Sequence, residues 1–307
     1  MRGVLTGFVI IASVIVVGYL LGRRGSLGDN GREVLTRLAF QVATPALLFV
    51  TVSAADLSAL FSARLLVAAI SFLAVSGVFA VVAVARRWGV GPSVVGALCA
   101  GYVNAANLGI PVAVYVLDDI SLVAPVLLFQ QLVVSPVVLT ILDLATQPAD
   151  ARAGTWRRLT TPFRNPIVLG SLSGVAVAAT GWSPPTALME PAVLLGNMAV
   201  PAVLLAFGIS LHGSELPGRG PDRAQVLLAV ALKSLLAPLL AWLLALAFGL
   251  DRDAQLVVVV TVALPTAQNV FTYASHYGVG LRLARESVLL STALSVPVLT
   301  LIAALLG

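Results

Sequence analysis

Long uncharged apolar stretches recur from one end of this chain to the other, and they restrict it more than any other feature. A bilayer crossing needs about 20 mostly apolar residues. Such runs are read at about 4–22, 33–53, 63–86, 93–117, 121–142, 167–182, 187–211, 224–249, 254–278 and 285–306. Lipid offers no partner to an open backbone amide, so each run is expected to be helical. The short alternating strands of a membrane barrel are missing. Only 10% of the 307 residues are charged, against about a quarter in soluble domains. The whole chain therefore reads as the membrane domain, and Val4–Leu21 as a helix without a signal-peptide cleavage pattern.

A net charge of +5 would fit nucleic acid, but the arginines report topology instead. Fourteen of them fall in alternate connections: Arg23, Arg24, Arg32 and Arg37; Arg86 and Arg87; Arg152, Arg157, Arg158 and Arg164; Arg219 and Arg223; Arg282 and Arg285. Arg2, Arg64 and Arg252 lie on the other side. Positive loops stay cytoplasmic, which places both termini outside, in a multi-pass protein of the inner cell membrane.

Two halves repeat. Pro45-Ala-Leu-Leu-Phe matches Pro201-Ala-Val-Leu-Leu, Asn107 matches Asn269, and Ser135-Pro-Val-Val-Leu-Thr-Ile matches Val296-Pro-Val-Leu-Thr-Leu-Ile, at offsets of 156, 162 and 161. With five spans per half, the second enters the membrane inverted. The expected fold is an all-α integral membrane protein of ten helices in two inverted five-helix repeats. The first repeat would be 1–142, a basic cytoplasmic linker 143–166, and the second repeat 167–307.

Each half carries a polar centre. The fourth span reads Gly101-Tyr-Val-Asn104-Ala-Ala-Asn107-Leu-Gly109-Ile-Pro111, and the ninth Ala263-Leu-Pro265-Thr266-Ala-Gln268-Asn269. Proline lacks an amide hydrogen and pushes its predecessor out of helical geometry, and glycine permits the bend. A break near 104–111 is expected, with a half-helix starting at Pro111. Matched breaks expose amides at one half-helix start and carbonyls at the other's end, which attract anions and cations respectively. Such pairs mark transporter sites. The candidate substrate ligands are Asn104, Asn107, Gly109, Pro111, Pro265, Thr266, Gln268 and Asn269. A proline kink patched by nearby amides is the plainer alternative.

Lys233, the single lysine, lies inside the eighth span. A charge there is expensive and marks a pathway or a partner. It is read as a fixed positive charge for a carboxylate, as a cap on free helix carbonyls, or as a stem snorkelling to the interface. Gln130 and Gln131 lie mid-span, where one could face the site or make an interhelical hydrogen bond; Gln130 joins the candidates. His212 is read as an exposed end residue. Walker, zincin and serine-hydrolase motifs are missing. One cysteine, Cys99, and two histidines leave few ligands for a metal. No enzyme activity, cofactor or metal is expected.

Asn104…Asn107-x-Gly109-x-Pro111, Pro265-x-x-x-Asn269 with Tyr277-Gly278, the two proline-led segments and the lysine–proline eighth span are together similar to the auxin efflux carrier family. The resemblance covers nearly the whole chain, in a compact prokaryotic form without the long central loop of plant members. It implies crossovers in spans four and nine, a transport domain moving against a scaffold, homodimers in lipid, and carboxylate substrates such as auxin-like acids or malonate. The leading expectation is an alternating-access exporter of small organic anions. A sodium- or proton-coupled carrier of bile-acid or cation-antiporter type, and a sensor without transport, are the alternatives. The missing mid-span carboxylate counts against the former.

Overall fold

The computed structural model describes residues 2–55, 62–109, 122–146, 165–214 and 217–306, with the side chains of 2–8 and 107 outside that description. The described residues are helical but for turns and two short extended segments. In chain order the helices are α1 (Arg2–Arg24), α2 (Gly31–Ser53), α3 (Ala63–Ala85), α4 (Val90–Gly101), α5 (Ala124–Thr146) and α6 (Pro166–Thr180). Then follow α7 (Thr186–Leu211), α8 (Arg223–Ala247), α9 (Arg252–Ala263), α10 (Gln268–Tyr277) and α11 (Leu281–Leu306). Among the described residues, six helices, α2, α3, α5, α7, α8 and α11, are both long and apolar enough to cross a bilayer, and α4 and α6 are shorter apolar helices. Large apolar side chains such as Val81, Val84, Leu194 and Leu305 point outward. An outward apolar surface is what lipid requires and water forbids.

Three helices carry a π turn, at Ala39–Ala43 in α2, Gln130–Val134 in α5 and Leu232–Leu236 in α8. Each lies just before a proline: Pro45, Pro136 and Pro238. The cause is local. A proline ring clashes with the carbonyl four residues back and cannot bond it. The turn widens instead, so that Thr44, Ser135 and Ala237 donate to the carbonyls five residues back, at Ala39, Gln130 and Leu232.

The helices pack in two groups. In one, α1 lies along Ala199–Leu211 of α7, and α6 along Thr44–Ser53 of α2. Both interfaces depend on glycine. A Cβ at Gly18 would lie 2.5 Å from the Leu205 carbonyl oxygen, and one at Gly170 2.4 Å from that of Pro45. Apolar burial gives no drive between helices in lipid, so such close backbone approach is the main source of association. In the other group α3, α4, α5, α8, α9 and α11 pack together around Val75, Phe79, Leu98, Leu139 and Ala241. Helix α10 belongs to this group and also touches α2 and α7.

Candidate functional site

Two chain segments leave helical geometry side by side in the interior. Helix α4 ends at Gly101, and Tyr102 turns extended (φ −74°, ψ 110°). Helix α9 ends at Ala263, and Leu264, held in the extended region by the proline after it, has ψ 143°. The segments then pair antiparallel. Val103 faces Thr266, the Asn104 amide donates to the Pro265 carbonyl at 2.8 Å, and the Ala267 amide to the Tyr102 carbonyl at 3.2 Å. Each interruption thereby supplies hydrogen bonds that the other lost, which is what a helix break inside lipid needs.

The departure from helix starts at Tyr102, earlier than the 104–111 break expected from Pro111. Pairing with 264–267, and not a proline, satisfies the backbone there. Ala105–Gly109 then close a π turn, with Leu108 and Gly109 both donating to the Asn104 carbonyl at 3.3 and 2.9 Å. Pro111, the half-helix expected from it and the Asn107 side chain lie outside the described residues.

The polar side chains around this pairing are buried. Asn104 Nδ2 donates to Gln268 Oε1 at 2.8 Å, joining the two interruptions. The outer edge of each segment is covered by a side chain from a different helix. Gln130 of α5 takes the Val103 amide on Oε1 at 2.7 Å and returns Nε2 to the Val103 carbonyl at 3.0 Å. Ser291 of α11 takes the Thr266 amide on Oγ at 3.1 Å. The Thr266 hydroxyl donates to the Cys99 carbonyl at 2.7 Å, in the last turn of α4. Beside these runs a chain of hydroxyls: Tyr102 Oη to Ser135 Oγ at 2.9 Å, and Ser135 Oγ to Tyr273 Oη at 3.3 Å. Asn269 is half-buried and interacts with the Tyr102 hydroxyl.

Lys233 is 1% exposed, and its Nζ donates to the Val262 carbonyl at 3.0 Å. That carbonyl belongs to the last turn of α9, the negative end of the helix. The ammonium is thus a cap on the α9 terminus and not a snorkelling group. At the other side of the interruption α10 begins at Gln268 with no side-chain cap from Ala267, so its positive end adjoins the same centre. Both features make the ninth-span side of the centre favourable to an anion.

The candidate residues Asn104, Gln130, Pro265, Thr266 and Gln268 meet here, Lys233 lies next to them through Val262, and Gly109 packs against Val123 and Leu264. Sequence reasoning left out Tyr102, Ser135, Tyr273 and Ser291. Ser291 was within reach, since it stands 161 residues after Gln130, the offset already seen between Pro136 and Pro297. Gln131 also differs from its neighbour: its Oε1 is buried without a hydrogen-bond partner among the described residues. Two carboxylates near helix ends take hydrogen bonds from elsewhere in the chain. Asp143 accepts from Tyr277 at 2.8 Å and Asn165 at 3.3 Å. Glu286, 1% exposed, pairs with Arg282 at 3.2 Å and accepts from the Gly218 amide at 2.7 Å. Both sit near helix ends and away from the paired segments.

An apolar helical bundle with a buried polar centre matches comparison with known proteins. Residues 4–303 fit the family model described as "Membrane transport protein", so this is a membrane transporter and not an enzyme. The chain belongs to that family, which is the auxin efflux carrier family. It is similar to a protein of Rhizobium meliloti (strain 1021) named "Putative malonate transporter", with 29% identity covering 96% of this chain and 94% of the relative.

Proposed function

We propose that this protein is a secondary carrier of small organic anions, with a dicarboxylate of malonate's size as the first candidate substrate. The observation that carries the reading is the antiparallel pairing of Val103 with Thr266, bracketed by Asn104–Gln268 and by the Lys233 cap on α9. The carboxylate would sit beside the start of α10, where the positive helix end favours negative charge. Asn104, Asn107, Gln268 and Asn269 would orient it, with Gly109, Pro111, Pro265 and Thr266 shaping the backbone around it.

The proposed architecture is ten helices in two inverted repeats, 1–142 and 167–307, joined by 143–166. The packing supports it. In span order, the α1–α7 contact of the first and seventh spans is the counterpart of the α6–α2 contact of the sixth and second. Gln130 and Ser291, 161 positions apart, likewise cover the two facing residues Val103 and Thr266. The group of α1, α2, α6 and α7 would act as scaffold, and the group holding the paired segments would move against it, opening the site to one side at a time. Both termini would lie outside the cell, export would be the working direction, and homodimers would form through the scaffold.

The test is flux. Purified protein in liposomes should take up labelled malonate along an imposed membrane potential. Dissipation of a sodium or proton gradient without anion movement would replace this reading with that of a cation antiporter.

A further inference from the structure

We propose that Gln130 is a positioning residue for the transport site: its carboxamide acts as a third strand that holds the Val103 backbone in the extended geometry the crossing needs. The inference rests on the proposed site at the crossing, and its test is chosen to separate the two.

A peptide unit on a neighbouring strand would offer Val103 one acceptor and one donor. Gln130 offers the same pair, Oε1 to the amide at 2.7 Å and Nε2 to the carbonyl at 3.0 Å, from a side chain that is itself buried. On its other edge the segment already pairs with 264–267. Val103, itself buried, is therefore enclosed between a backbone and a backbone mimic. Both ends of the Gln130 amide being engaged on Val103, neither points at a substrate. The adjacent Gln131 carries the unpartnered acceptor.

The π turn of α5 explains how Gln130 reaches the crossing. Residues five apart on an α-helix project about 140° from one another at 3.6 residues per turn. In a turn closed from i to i+5 they come to nearly the same side. The π turn spans Gln130–Val134 and is closed by the Ser135 amide. It therefore aims Gln130 at Val103 and Ser135 at the hydroxyl of Tyr102, the adjacent residue of the same segment. Pro136, which forces the wide turn, thus sets the shape of a segment some thirty positions earlier in the chain. On the inverted side Ser291 supplies the Thr266 amide alone. The fourth-span segment is the more firmly held of the two.

The chemistry gives a reversible variant. In Gln130→Glu the ionised carboxylate can accept from the Val103 amide but faces the Val103 carbonyl with a second acceptor. When protonated it donates there and restores both bonds. The experiment is hydrogen–deuterium exchange of the peptide covering Tyr102–Leu108 in substrate-free protein, beside malonate uptake, for wild type, Gln130→Glu, Gln130→Leu and Gln131→Leu. Expected is a rise of tenfold or more in exchange for Gln130→Leu at any pH. Gln130→Glu should show wild-type exchange at pH values where its carboxyl is protonated and the same rise at the higher pH where it ionises. Gln131→Leu should exchange as wild type does. Uptake should fall with exchange in both Gln130 variants. Reduced uptake with unaltered exchange would overturn the inference and make Gln130 a substrate ligand. Raised exchange with full uptake would support the clasp while removing the crossing as the transport site. Should Gln130→Leu not fold, the acid-reversible exchange of Gln130→Glu still decides the matter.

Discussion

Replacing Lys233 by methionine keeps the stem's volume and deletes one positive charge. Val262, whose carbonyl holds the ammonium, lies three residues before Pro265. Three residues span at most about 10 Å, which is taken as the distance from the charge to a carboxylate at the crossing. At an effective dielectric of about 20 the attraction is 332/(20 × 10), or about 1.7 kcal/mol per negative charge. A monoanion should then bind about eighteen-fold more weakly to Lys233→Met, and a dianion about three hundred-fold. The unmet Val262 carbonyl adds a stability loss of about 1–3 kcal/mol that is the same for every substrate. The assay is KM for uptake of malonate and of its monomethyl ester, by wild type and variant in liposomes. The ratio of the two losses cancels the structural part. Equal losses for both substrates would refute an electrostatic role and leave Lys233 as a helix cap alone.

Other outcomes follow from the same contacts. Gly170→Val should lower the thermal midpoint markedly, since its Cβ would lie 2.4 Å from the Pro45 carbonyl oxygen, whereas Gly77→Ala, with open space around it, should hold or raise it by up to about 1 kcal/mol equivalent. Gln268→Leu removes the acceptor for Asn104 and should cut malonate uptake at least tenfold with expression intact; full uptake would show that the link between the interruptions is dispensable. Tyr277→Phe deletes the 2.8 Å bond to Asp143 and should change turnover without changing KM, because the bond lies away from the crossing. A shift confined to KM would place Asp143 in the substrate path.

Helix positions were legible because lipid imposes one rule on every span, and the breaks were legible from Pro265 and from the amides around Asn104. The start of the first break was not. Pro111 is a local signal, while the turn at Tyr102 depends on a partner 165 residues away at Ala267, which no local pattern reports. The π turns were missed for a similar reason. Pro45 and Pro136 were read as repeat matches and Pro238 as part of the lysine–proline span, yet each follows a widened turn. Gln130 looked like any mid-span amide until that turn placed it on Val103. Lys233 could be read as an anion site, a cap or a snorkelling group, and the Val262 carbonyl distinguishes among these only in three dimensions.

The account stands on an anion binding where the two interrupted helices meet. Equilibrium binding of labelled malonate to purified protein tests this directly, comparing wild type, Asn269→Ala at the start of α10, and Asn197→Ala, an exposed amide in α7 far along the chain from either interruption. Binding lost in Asn269→Ala and kept in Asn197→Ala is the expected result. Wild-type affinity in Asn269→Ala would contradict the assignment of the site.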